Sequence, residues 1–324
     1  MSTFWSSFPR IRKGLDRVKS RLLAQAEALP ADLREELTPF LRREGKFLRA
    51  GLILLASGSD TTDHCDAVEG AAAAIELLHL ATLVHDDIVD QAALRRGEPA
   101  LYRQLVPQKA VLYGDLLFAA SFRAVSRDVG PESARALAEL VTIMAGSEIQ
   151  QLNDRFRLPI SPRRILRKTM GKTALLFSLS LYAGAKEGGR GDPVALGLRR
   201  AGYSLGMAFQ IQDDLFDWTG DPALMGKPVF GDLLSGIYTW PVALAWRDDP
   251  QKTRRELTEV KEGRLAARDL WDQWAARGWE DKTEDLVSCY ATRARGDLDR
   301  VLEPGSADRR DWDRFVDVLL SRQV

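Results

Sequence analysis

Residues 70–90 read GAAAAIELLHLATLVHDDIVD. The first fifteen of them, 70–84, are apolar on nearly every face of a helix, and a helix of that kind belongs at the centre of a bundle, not on its surface. VLYGDLLFAASF (111–122) and TALLFSLSLYAGA (173–185) have the same character. Elsewhere Ala, Leu, Arg and Glu recur at helical spacing, and β-branched residues do not alternate with period two. The fold class is therefore all-α, a single large helical bundle.

Turn-forming residues divide the chain at LVPQ (105–108), DVGPES (128–133), RLPISP (157–162), KEGGRGDP (186–193), TGDPALMGKP (219–228), DDP (248–250) and EPGS (303–306). Ser133 and Ser161 are the expected starts of the helices that follow the second and third breaks. No linker or repeat partitions the chain. The expectation is one domain over 1–324, with residues 1–34 as an N-terminal helix and a polar, Trp-rich C-terminal third packed on the rest. WDQWAARGW (271–279) reads as packed core, with a partner or membrane surface as the alternative.

Lys plus Arg and Asp plus Glu number 46 each. No overall field draws the chain to nucleic acid or an anionic membrane, so any phosphate binding must come from local clusters. Cys65 and Cys289 lack metal-type spacing and read as free thiols of a reducing compartment. The N-terminus has no apolar signal region, and no uncharged run is long enough to span a bilayer. A cytoplasmic protein is expected, with at most peripheral membrane contact.

The quoted helix ends in Asp86, Asp87 and Asp90. AFQIQDDLFDWTGD (208–221) repeats that spacing at Asp213, Asp214 and Asp217, again at the end of an apolar helix. At about 100° per residue, positions i and i+4 point the same way, so Asp86 aligns with Asp90 and Asp213 with Asp217. Two such clusters facing each other repel strongly unless cations lie between them. The donors are hard oxygens, which suit Mg²⁺, and Mg²⁺ completes its octahedron with water and substrate phosphate. The pattern predicts a diphosphate held by bridging metal ions.

Candidate cations for such a ligand are Lys46, Arg49, Arg95, Arg96, Lys172 and Lys227. Arg95 and Arg96 are adjacent in a turn before Gly97 and need an anion between them or one each. His79 lies two turns before Asp86 on the same stripe and reads either as a phosphate donor or as a core histidine.

With both motifs in view, the sequence resembles the trans-isoprenyl diphosphate synthases, the polyprenyl synthetase family. The resemblance rests on ELLHLATLVHDDIVD, then four residues and RRG; on GMAFQIQDDLFDWTGD; and on GKFLR (45–49), VLYGD (111–115), SEIQQL (147–152), GKTALLF (171–177), GKPVFGDLLSGIYTWP (226–241) and the tail from 290 onward. It runs from about residue 35 to the end. The resemblance implies a homodimer and an activity that joins isopentenyl diphosphate to an allylic diphosphate with Mg²⁺. Asp86, Asp90 and Asp213 are then the principal metal ligands, supported by Asp87, Asp214 and Asp217. Lys46, Arg49, His79 and Arg96 hold isopentenyl diphosphate, while Arg95, Lys172, Thr173, Gln210 and Lys227 serve the allylic diphosphate.

Three positions depart from the family pattern. Glu44 and Ala50 replace a glycine and a proline, and Ile237 stands where many members carry a lysine that binds the allylic diphosphate. Product length is read from Thr82, one turn before Asp86, and Ala81, which the resemblance identifies as the tunnel gate. Both are small, so the product is expected to pass that level and to be longer than farnesyl diphosphate, a long-chain polyprenyl diphosphate rather than geranylgeranyl diphosphate, with Phe118 or Phe122 as a deeper floor. The alternatives are a geranylgeranyl or farnesyl diphosphate synthase, a terpene cyclase-type enzyme, and a non-catalytic subunit of a heteromeric synthase. The intact isopentenyl-side cations disfavour the cyclase, and the complete aspartates disfavour the subunit.

Overall fold

The computed structural model describes residues 3–43, 45–58, 65–95, 97–220 and 229–321. The first half of the chain forms helices α1 (Pro9–Glu27), α2 (Ala31–Arg42), α3 (Leu48–Ala56), α4 (Cys65–Val89), α5 (Leu101–Gln104), α6 (Pro107–Asp128) and α7 (Pro131–Asn153). The second half forms α8 (Pro162–Thr169), α9 (Leu175–Glu187), α10 (Asp192–Thr219), α11 (Gly231–Leu234), α12 (Trp240–Asp248), α13 (Pro250–Lys261), α14 (Ala267–Ala275), α15 (Trp279–Asp299) and α16 (Ala307–Leu320). Among the described residues the strands are β1 (Leu94–Arg95) and β2 (Glu98–Pro99), a short antiparallel pair turning at Gly97. Prolines open α6, α7, α8 and α13 because the first turn of a helix needs no amide donor there.

Two of the expected helix starts behave differently. Ser133 lies inside α7, and its hydroxyl donates to Glu187 Oε1 at 2.7 Å. Ser161 occupies the cap position of α8 without a side-chain cap bond. By contrast Asp249 caps α13, accepting from the Lys252 amide at 2.9 Å.

Contacts divide the chain into two compact units, residues 1–137, 179–199 and 300–315, and residues 138–178, 200–299 and 316–324. In the first unit α4 is the central helix, and every residue from Val68 to Leu78 is buried. Ser121 Oγ donates to the Ala74 carbonyl at 2.7 Å, and Gly114 lies against the His85 ring, so α4 and α6 run antiparallel. A β-carbon on Gly70 or Gly114 would lie 2.3 Å from the facing helix, which is why both ends of this seam carry glycine. Among the described residues, 66–89 is a stretch long and apolar enough to cross a membrane, yet 78% of its most apolar 18-residue window is buried inside the protein. It is a core helix.

The expectation that 111–122 is buried all round does not hold. Val111, Leu112 and Phe122 are 39, 66 and 43% exposed. Only the stripe through Ala110, Tyr113, Gly114, Leu117 and Ser121 faces inward, because α6 lies at the edge of its unit.

The second unit is centred on indoles. Trp218 stacks on Trp274 at 5.5 Å between ring centroids and packs against Trp271 and Phe230, and Trp279 packs edge-on against Trp274. Trp218 Nε1 donates to Thr239 Oγ1 at 3.0 Å, and Trp274 Nε1 donates to Glu256 Oε2 at 3.1 Å. The three tryptophans of 271–279 are thus packed core, while Asp272, Gln273 and Ala276 between them are exposed. The cluster anchors the C-terminal end of α10, where the second aspartate motif lies.

Candidate diphosphate and metal site

Each motif lies at the C-terminal end of a long helix, 86–90 running one residue past α4 and 213–217 within the last two turns of α10, where the macrodipole is already negative. Adding three carboxylates there is unfavourable without cations, and the first unit shows how part of that charge is met. Asp87 is buried and its Oδ1 accepts from Arg95, from Nε at 2.8 Å and also from Nη2. The β1–β2 turn therefore returns Arg95 to the end of its own helix. Asp86 is half-buried and Asp90 exposed.

Arg95 accordingly has a structural duty that the sequence assigned wholly to substrate. Its guanidinium remains about one-third exposed. Arg95→Met leaves Asp87 buried without its ion-pair partner, and such losses cost about 1–3 kcal/mol when the partner is partly exposed. Urea unfolding of the variant should show a lowered midpoint; an unchanged midpoint would mean that the pair contributes nothing to stability.

Arg49 Nη1 lies 3.0 Å from His79 Nε2. A guanidinium can only donate, so this nitrogen of His79 accepts and the proton sits on Nδ1. The two residues expected at one diphosphate are thus in contact. Lys46 is exposed, just before α3, and its carbonyl accepts from Trp5 Nε1 at 2.7 Å. Arg96 and Lys227 lie outside the described residues, as does Glu44.

In the second unit a π-helical turn, Met170–Ala174, carries Lys172 and Thr173. Such bulges re-aim side chains and cluster at functional sites. The Thr173 hydroxyl donates to Gln210 Oε1, and Gln210 Nε2 donates to Asp214 Oδ1 at 2.8 Å. Asp214 is buried, and its pKa is pushed up to about 6, first by desolvation, against the attraction of the Lys168 ammonium. Asp217 is buried as well, with Oδ2 accepting from the Asp232 amide at 3.1 Å at the start of α11. Asp213 is exposed.

The three aspartates expected to bind metal, Asp86, Asp90 and Asp213, are the more exposed members of their motifs, and the three expected to support them are buried. Among the described residues no three His, Cys, Asp or Glu side chains converge into a ready-made metal cage. The donors instead fit Mg²⁺, which takes one or two carboxylates and leaves positions for water and phosphate.

A model of the polyprenyl synthetase family matches residues 30–273. The chain belongs to the polyprenyl synthetase family. It is 35% identical over 238 residues to heptaprenyl diphosphate synthase component 2 of Geobacillus stearothermophilus, covering 74% of each chain. It is 29% identical to nonaprenyl diphosphate synthase of Mycobacterium tuberculosis, covering 96% of this chain and 93% of that one. Among solved structures it is similar to decaprenyl diphosphate synthase of Rhodobacter capsulatus, with a TM-score of 0.86, 28% identity and 98% of both chains covered. It also resembles a polyprenyl synthase of Caulobacter crescentus complexed with calcium and isoprenyl diphosphate, with a TM-score of 0.86, 29% identity and 97 and 96% coverage.

In this polyprenyl synthetase the residues read as controlling chain length are distributed unevenly. Ala81 is fully buried on the stripe that holds Ala74 and His85 against α6. Thr82 is half-buried, and its hydroxyl donates back to the His79 carbonyl at 2.8 Å. Phe118 stacks on His85 at 5.6 Å, which puts it level with the aspartates and not beneath Thr82. Phe122 is one turn deeper but turned outward. Neither forms the expected floor within this unit. At that depth the first unit instead has a small, mostly apolar cleft of about 10 Å³ bordered by Ala71, Ala74 and Ile75 of α4 and by Val125, Leu137 and Leu179. Ile75 precedes Asp86 by eleven residues, about 16 Å along a helix axis.

Proposed function

We propose that this polyprenyl synthetase is a Mg²⁺-dependent, cytoplasmic, long-chain trans-polyprenyl diphosphate synthase that condenses isopentenyl diphosphate head-to-tail with an allylic diphosphate. The observation that carries this reading is the division within each motif between outward Asp86, Asp90 and Asp213 and buried, hydrogen-bonded Asp87, Asp214 and Asp217. That division suits metal-bound diphosphate at the surface of two helix ends whose inner carboxylates hold the ends in shape. Relatives named as heptaprenyl, nonaprenyl and decaprenyl diphosphate synthases support the long-chain part.

Bound Mg²⁺ supplies Lewis-acid neutralisation of the departing diphosphate. The chain's own residues do the rest. Lys172 and Thr173, on the π-helical turn, meet the leaving diphosphate, with Gln210 and Asp214 fixing the Thr173 hydroxyl. Lys46 and the Arg49–His79 pair hold the diphosphate of isopentenyl diphosphate, which remains in the product. The allylic cation is attacked by the isopentenyl double bond and the condensed cation loses a proton to the released diphosphate, so no protein nucleophile is needed. The apolar flank of α4 keeps water from the cation.

Purified protein with Mg²⁺, isopentenyl diphosphate and each allylic starter should give products longer than farnesyl diphosphate on sizing. No isopentenyl incorporation with any starter refutes the proposal. Thr82→Phe should shorten the product ladder by at least one isoprene unit, by filling the helix face one turn below Asp86; an unchanged ladder refutes the tunnel assignment.

A homodimer is part of the same reading, favoured by exposed Val111, Leu112 and Phe122 on α6. A second reading, that this chain is one component of a two-chain synthase, is favoured by the relatives named component 2. Prenyl transfer by the purified chain alone decides between them.

A further inference from the structure

The lysine that many family members carry at position 237 is an isoleucine here, yet the space beside it is not without positive charge. Ile237 and Tyr238 border a cavity of about 60 Å³ in the second unit, and Lys168 of α8 lines the same cavity. Lys168 Nζ is 3.5 Å from the carbonyl oxygen of Tyr238, the residue next to Ile237. The Lys168 charge is also the strongest favourable influence on buried Asp214. Asp214 accepts from Gln210, which in turn accepts from Thr173.

The other cations of the cavity wall are committed elsewhere. Arg164 Nη1 lies 2.6 Å from Asp154 Oδ1, and Arg157 Nη1 lies 3.6 Å from the same oxygen. Lys168 has a long, half-buried stem and a weak contact at its tip, a geometry that lets the ammonium swing toward an incoming anion. It precedes Lys172 by four residues, so the two ammonium groups come from successive turns, separated by the start of the π-helical turn.

We infer that Lys168 is a further diphosphate-binding residue, supplying from α8 the positive charge that Ile237 does not provide. The inference rests on the proposed function for the identity of the ligand as the allylic diphosphate, and on the cavity alone for the binding of a diphosphate anion. An apolar and a cationic side chain have in effect exchanged places across one cavity.

The test compares Lys168→Met, which keeps the stem and removes the charge, with Lys168→Arg and with the double variant Lys168→Met/Ile237→Lys. Binding of inorganic pyrophosphate at fixed Mg²⁺ is measured by calorimetry, and KM is measured separately for the allylic and isopentenyl substrates. Lys168→Met should weaken pyrophosphate binding and raise the allylic KM on the order of 10- to 100-fold, the size of one charge-assisted hydrogen bond, with the isopentenyl KM changed less than about twofold. Lys168→Arg should retain most of the affinity, and Ile237→Lys should restore it. Unchanged pyrophosphate affinity in Lys168→Met overturns the inference, as does a loss that neither Arg nor Ile237→Lys repairs, since that pattern marks a structural role. If the wild-type protein transfers no isopentenyl group but Lys168→Met still weakens pyrophosphate binding in the repairable way, the proposed function fails and the assignment of Lys168 stands.

Discussion

Asp86→Asn should lower kcat/KM by about three to four orders of magnitude while leaving the fold intact. The substitution is isosteric and removes one negative charge from a half-buried position at the end of α4, so its effect on stability should stay within about 0.5 kcal/mol. Its effect on the reaction is large because a metal that neutralises a departing diphosphate is worth several kcal/mol in the transition state, and about 1.4 kcal/mol corresponds to a factor of ten in rate. Asn is a poor ligand for a hard divalent cation compared with carboxylate. Steady-state kinetics across a Mg²⁺ titration, with circular dichroism melting as the control, provide the measurement. Activity within tenfold of wild type at saturating Mg²⁺ would show that Asp86 does not hold a catalytic metal.

Trp218→Ala is the counterpart, with the largest expected effect on stability. Trp218 is 1% exposed and stacks between aromatic partners from the loop after α10 and from α14. Truncation of a fully buried indole costs about 3–5 kcal/mol, to which the unpaired Thr239 hydroxyl adds. For a unit of this size the melting temperature should fall on the order of 10 °C. Trp218 directly follows Asp217, so the end of the motif helix should loosen before global unfolding, visible as faster amide exchange over 210–219. Trp218→Phe should recover part of the loss by refilling the ring stack without the indole donor. A melting temperature unchanged by Trp218→Ala would remove the indole cluster as the anchor of the second motif.

Helix breaks were legible because proline and glycine act locally: Pro107, Pro131, Pro162 and Pro250 open helices wherever the rest of the chain lies. Centrality of α4 was legible as well, since a helix apolar on nearly all faces must be covered. The same rule failed for α6, because apolar residues are permitted outside and exposed Leu112 or Phe122 violates nothing in the physics of one chain. Depth misled in a related way. Phe118 and Phe122 were correctly placed on one helix, but the antiparallel seam with α4 puts the first level with the aspartates and points the second outward.

The sequence by itself determined that this protein is helical, where its helices break, and that two helix ends each carry a DDxxD motif beside scattered cations, because those features depend on spacing along a single chain. It also carried the family. Only the tertiary structure decided which member of each motif is buried and which is exposed, that Arg95 serves Asp87, that Arg49 meets His79, and that Lys168 reaches the wall beside Ile237. These are contacts between residues up to 70 positions apart, and their distances and burial are set by how helices pack, a three-dimensional property that one-dimensional spacing does not encode.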